Sequence, residues 1–185
     1  MTSIPNLVYI DTHVFAYQLL SYSYSMTAKI QKMIITTGKF FQDIQNGKYQ
    51  AIISTFTETE YRSVVKKVIS CYMKRPITPQ EENIAMNDFR AFNQSMGIGL
   101  TNSDVIAYNN NINQIDIFST TDYTIQNNVN PYLDDKWKVI GGADAILLNM
   151  ALRSGANMIA TFDMGFKGVK HPSIQALIIP DIYNI

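Results

Sequence analysis

The sequence predicts an α/β sandwich on a mostly parallel sheet, and three observations carry that reading. Apolar runs at Leu7 to Ile10, Ala51 to Ile53 and Met158 to Thr161 lack an alternating polar face, as strands covered by helices on both sides do. Between them lie segments with apolar residues at three- and four-residue steps, the helical period. Strands alternating with helices is the order of parallel α/β architecture. With 185 residues, 46% of them apolar, the chain fills one sizeable core and is short for two, so a single domain over 1–185 is expected.

Leu7 to Ile10, bounded by Pro5 and Asp11, reads as the first strand, with a helix from Thr12 to about Leu20 after it. A second helix carries Ile30, Met33, Ile34, Phe41 and Ile44 on one face and stops at Asn46-Gly47. After the Ala51 to Ile53 strand, a helix from Ser54 or Thr55 to about Met73 lays Tyr61, Val64, Val65, Val68, Ile69 and Tyr72 along one stripe. Cys71, on the same helix, is assigned to the core. Thr78-Pro79-Gln80-Glu81 joins an N-cap threonine, a first-turn proline and a capping-box glutamate, so a helix runs from there to about Ser95, with Gly97 beyond it. Gln114 to Phe118 reads as a strand, and Thr121 or Asp122 as the cap of a short helix. Ala143 to Arg153 is apolar nearly all round, a buried helix stopped by Ser154-Gly155. Met158 to Thr161 and Gln175 to Ile179 complete the sheet.

Composition narrows the function classes. Fifteen basic and fifteen acidic residues give a formal net charge of +0, which excludes a polybasic nucleic-acid coat, so any nucleic-acid partner needs a local patch. The single Cys71 excludes an internal disulfide framework and multi-cysteine metal sites, in keeping with a reducing compartment. No signal-peptide core and no membrane-length apolar run is found, so a cytoplasmic protein with no membrane partner is expected.

In open α/β sheets the functional crevice lies beyond the carboxyl ends of the strands. Asp11 follows the first strand directly, and Asp163 follows the Met158 to Thr161 strand. Glu60 and Asp144 fall in the early turns of helices on the same rim. Each has an ordinary alternative: a helix cap for Asp11, a dipole partner for Asp144, a turn aspartate for Asp163, a solvated acid for Glu60. The chain has only four glutamates and eleven aspartates, so delivery of these acids to one edge points to a shared site. Carboxylates that close together repel, and either a pKa rises or a divalent cation sits between them. Oxygen-only ligation suits a hard ion such as Mg2+ or Mn2+ rather than zinc.

Four ordered segments resemble the motifs of PIN-domain nucleases, the family that includes the VapC-type toxins. They are Val8-Tyr9-Ile10-Asp11-Thr12, Ile53-Ser54 with Glu60-Tyr61, Ala143-Asp144-Ala145-Ile146, and Ala160-Thr161-Phe162-Asp163-Met164-Gly165-Phe166. The resemblance implies a PIN-like three-layer α/β/α sandwich and a metal-dependent endoribonuclease acting on single-stranded RNA. It implies Asp11, Glu60, Asp144 and Asp163 as the acids that bind Mg2+ or Mn2+, with Thr12, Ser54 and Thr161 in support. A homodimer and an antitoxin protein partner are also family expectations. The stretch between Glu60 and Asp144 is longer than in the compact toxins, so an inserted helical region around 74–113 is expected, which puts the toxin subgroup in question.

Glu60 competes with Glu58 for the second acidic position. Thr55-x-x-Glu58 fits a capping box, which gives Glu58 a structural task and leaves Glu60 for chemistry. RNA contact falls to short basic clusters: Arg62, Lys66 and Lys67 with Lys74-Arg75, then Lys136-Lys138, and Lys167 with Lys170. Solvated helix faces explain them equally well. Trp137, Tyr22 and Tyr24 are assigned to buried or interfacial positions rather than to base stacking, and His13 and His171 form no constellation. Two other readings stand beside the nuclease. A haloacid-dehalogenase-like phosphatase wants a second aspartate where His13 stands, and a silent scaffold would bind RNA or protein without turnover.

Overall fold

The computed structural model describes residues 6–24, 27–101, 142–168 and 173–183. The strand expected over 114–118, the helix at 121–122, Lys136, Trp137, Lys138, Lys170 and His171 lie outside them. Five strands, β1 (Asn6–Ile10), β2 (Tyr49–Ser54), β3 (Gly99–Thr101), β4 (Met158–Thr161) and β5 (Gln175–Ile178), form one sheet in the order β3-β2-β1-β4-β5. Every pairing is parallel, with Val8 opposite both Ala51 and Met158. Among the described residues six α-helices accompany them: α1 (Thr12–Leu19), α2 (Ala28–Gln45), α3 (Thr55–Met73), α4 (Pro79–Ser95), α5 (Gly142–Arg153) and α6 (Ile179–Tyr183).

Alternation along the strands divides the core between the two faces. Val8 and Ile10 pack with Phe15, Phe41, Val65 and Phe89 under the early helices. Tyr9 and Ile159 pack with Leu148, Phe166 and Ile178 under α5. Helices therefore cover both faces, the arrangement of a three-layer sandwich. Successive crossovers β1 to β2 to β3 keep their helices on one face, and reversal of direction at β4 puts α5 on the other. Among the described residues no helix is long and apolar enough to cross a membrane.

The helix ends follow the chemistry written in the sequence. Thr78 accepts from the Glu81 amide while Glu81 returns a bond to the Thr78 amide, the capping box expected there. Gly47 and Gly155 take positive φ after α2 and α5, where a Cβ would be strained.

Two readings change. β3 adds an edge strand where only the end of α4 was foreseen. Tyr72 is 57% exposed rather than part of the buried stripe, and Cys71 is exposed rather than core, because α3 runs on past the layer it covers. Within the span expected to be inserted, α4 places Met86 and Phe89 in the common core beside Phe15, and β3 joins the sheet.

Candidate metal-dependent active site

In this sheet the chain moves one way from β1 to β2 and β3 and the other way to β4 and β5, so the topological switch point lies between β1 and β4. Asp11 and Asp163 follow those two strands. The Asp11 amide still bonds the Ala160 carbonyl at 3.0 Å, so the sheet ladder itself fixes where the Asp11 side chain leaves β1. That side chain is only 9% exposed and caps α1 through a 3.3 Å bond from the His13 amide to Oδ1.

Thr161, fully buried at the end of β4, ties the two strand ends together. Its hydroxyl donates to Asp11 Oδ2 at 2.6 Å and accepts from the Asp163 amide at 2.9 Å. Asp163 Oδ1 in turn accepts from the Gly165 amide at 2.6 Å. A Cβ on Gly165 would stand 3.1 Å from that oxygen, so a side chain there would press on the carboxylate.

Glu60 reaches the same rim from the second turn of α3, where Oε2 accepts from the Thr12 hydroxyl. Ser54 ends β2 and caps α3, accepting from the Phe56 amide at 3.2 Å. The capping-box partner is Thr57, not Glu58, and the box begins at Ser54 rather than Thr55. Glu58 instead forms an ion pair with Arg90 of α4. Glu58 therefore has a structural task other than the one expected, while Glu60 is the glutamate that meets Thr12 at the rim. Tyr9, fully buried in β1, bonds Ser54 Oγ at 2.5 Å and Thr57 Oγ1 at 2.9 Å. This hydroxyl cluster fastens the strand that carries Asp11 to the start of the helix that carries Glu60.

Asp144 lies in the first turn of α5. Burial first, then the charges of Asp163 and Asp11, a hydrogen bond with Asp163 and the charge of Glu60 push its carboxyl up to about 6. Burial and the Asp11 charge also raise Glu60, against the opposing pull of the Thr12 hydroxyl. All four acids thus share one electrostatic field. Among the described residues, no set of three or more His, Cys, Asp or Glu side chains has the arrangement of a metal site. The carboxylates are linked in pairs and through hydroxyls.

His13, left out of the sequence constellation, stands at this site with Nδ1 3.9 Å from Asp11 Oδ1 and its side chain 57% exposed. The Asp11 carboxylate beside it raises its pKa most; burial opposes this, and the charges of Glu60 and Asp144 add to the rise. The signal was adjacency: the residue two places after a strand-end aspartate starts the helix that turns back over it.

The basic candidates fare unevenly. Glu82 of α4 pairs with Arg62 at 2.8 Å and Lys66 at 3.3 Å, and Lys167 pairs with Asp181 at 2.6 Å. Lys67 is exposed and has no acidic partner among the described residues. No protein-family model matches the chain, and no curated protein matches it in sequence.

Proposed function

We propose that the protein is a PIN-type, metal-dependent endoribonuclease that hydrolyses phosphodiester bonds in single-stranded RNA. The observation that carries this reading is the Thr161 bridge: one hydroxyl holds Asp11 and orders the turn of Asp163 at the sheet's switch point. Glu60 and Asp144 complete an all-oxygen donor set; burial raises both carboxyls most and neighbouring carboxylate charge adds to it, and a divalent cation would relieve that repulsion. By charge and donor type Asp11, Glu60, Asp144 and Asp163 fit Mg2+ or Mn2+. A bound ion of that kind would lower the pKa of a water and stabilise charge developing on the phosphoryl oxygens. Thr161 and Thr12 hold two of the carboxylates in fixed orientation, which reduces the reorganisation left for binding. Burial first, and then the charges of Asp163 and Asp11, push the Asp144 carboxyl up to about 6.

A scaffold that binds RNA without turnover is favoured by one observation, the lack of a ready three-ligand group among the described residues. One assay separates the two readings. Wild-type and Asp144→Asn proteins are incubated with a panel of labelled single-stranded RNAs in magnesium, in manganese and in EDTA. Metal-dependent cutting by wild type alone is the expected result. RNA bound but uncut under every condition would establish the scaffold.

A further inference from the structure

We infer that single-stranded RNA is led to the carboxylate site along α3, by Lys67 on the helix and Lys74 at its C-cap, and stacks on the exposed Tyr22–Tyr72 pair beside the end of that helix. This rests on the nuclease reading and adds a path to it. From Tyr61 to Gln80 the chain carries five cations and no acid. Three are answered by α4 and its cap: Arg62 and Lys66 by Glu82, and Arg75 by Glu81 through a two-pronged contact at 2.9 and 2.5 Å. Lys67 and Lys74 are exposed and have no acidic partner among the described residues.

Those two lysines are not scattered. Positions 60, 64, 67 and 71 advance by fours and threes, so Glu60 and Lys67 share one flank of α3, away from the α4 ion pairs, and Lys74 follows the last helical residue, Met73, as the C-cap with φ 55°. At about 1.5 Å per residue, Lys67 lies about 10 Å and Lys74 about 21 Å beyond Glu60 along the axis. The uncompensated positive charge therefore begins about 10 Å from Glu60 and extends to the C-terminal end of α3. Charge complementarity to a phosphate chain selects the occupant, because an apolar protein partner would not use isolated lysines.

Near the end of α3, on the side that carries Tyr61 and Val65 further back, Tyr72 and Tyr22 meet edge to face at 6.3 Å, with 57% and 61% of their surfaces exposed. Large aromatics with that exposure offer free ring faces to unpaired bases, whatever the sequence. A duplex, whose bases are already stacked, has no use for them.

The test separates this path from catalysis by reading binding alone. Asp144→Asn protein in EDTA is titrated with a fluorescent single-stranded 20-nucleotide RNA at several salt concentrations. Replacing both Lys67 and Lys74 by Ala is expected to lower the slope of log K against log salt by about 1.4, the contribution of two phosphates on a single strand. Arg62→Gln with Arg75→Gln, whose charges are already paired, leaves the slope near that of the parent. Tyr22→Ala with Tyr72→Ala weakens binding roughly tenfold with the slope unchanged, since stacking is not ionic. A lysine variant with the parent slope, a tyrosine variant with the parent affinity, or tighter binding of a duplex of the same length overturns the path. All these side chains are exposed, and circular dichroism checks that each variant folds. Cleavage by wild type, measured separately, decides the nuclease reading: the binding pattern can hold while cleavage fails, and the reverse.

Discussion

Thr161 donates its hydroxyl hydrogen to Asp11 across 150 residues of sequence, in a site where both side chains are buried. Replacing it by Val, close in shape but without the hydroxyl, leaves a buried carboxylate oxygen and the Asp163 amide short of a partner. A stability loss of about 1–3 kcal/mol is expected. Cleavage should fall roughly tenfold to a hundredfold, because two carboxylates lose their orientation. Thr161→Ser keeps the hydroxyl and should restore most of both. Urea unfolding and single-turnover cleavage measure the two effects, and a Thr161→Val protein with wild-type cleavage would remove the bridge from the mechanism.

Asp144 gives a pH signature. Its folded carboxyl is pushed up to about 6 from 3.8, so the folded state favours the protonated form. The cost to stability is absent below pH 3.8, grows as the pH rises to about 6 and is complete above it. Asp144→Asn removes that cost, and without divalent ions it should be more stable than wild type at pH 7.5 by about 1 kcal/mol, after allowance for the solvent around a half-exposed group. Near pH 4 the difference should vanish. Urea midpoints at the two pH values, each without and with magnesium, test this; magnesium should stabilise wild type more than the variant.

Glu60 and Glu58 are separated by function. Glu60→Gln removes a charge from the candidate metal site and should abolish metal-dependent cutting. Glu58→Gln breaks only a surface ion pair to Arg90 and should leave cleavage intact, at a stability cost below about 1 kcal/mol. Parallel cleavage and melting assays decide it, and the opposite pattern would exchange the two assignments.

The last helix is held at a distance from the site. Tyr183 donates its phenol to Asp43 Oδ2 at 2.6 Å, and Lys48 reaches the same oxygen at 2.7 Å. Burial raises the Asp43 carboxyl, but the hydrogen bonds from Lys48 and Tyr183 outweigh it and hold the group below its ordinary value. A depressed carboxyl stabilises the fold above the unfolded pKa, and that contribution is lost as the pH falls below 3.8. Tyr183→Phe should therefore cost about 1 kcal/mol at neutral pH and less in acid, with cleavage unchanged. Chemical denaturation at pH 7 and pH 3 measures the difference.

Much of this architecture was legible because parallel strands buried on both faces announce themselves as unbroken apolar runs, as Val8 to Ile10 and Met158 to Thr161 do. The acids were legible for the same reason, since a charge directly after such a run is delivered to the sheet's edge. β3 escaped because Gly99-Leu100-Thr101 is short, begins with glycine and leaves Leu100 exposed. Helical phase gave the stripe of α3 but not its length of cover, so Tyr72 and Cys71 were assigned to a core that ends before them. The fates of Glu58, Arg62 and Lys66 depended on Arg90 and Glu82, partners 16 to 32 residues away that no local pattern reveals.

The central position of β1 has a consequence for biosynthesis. It leaves the ribosome before the other four strands of this sheet, yet one of its two neighbours, β4, is made about 150 residues later. Until then one edge of β1 has no native partner, and closing the sheet requires a long-range pairing of the slow kind. Asp144 and Asp163 emerge in that same late portion. A ribosome-bound chain that has exposed only β1, β2 and β3 therefore carries Asp11 and Glu60 without their counterparts, so the proposed nuclease stays inert beside the messenger and ribosomal RNA around it while it is being made.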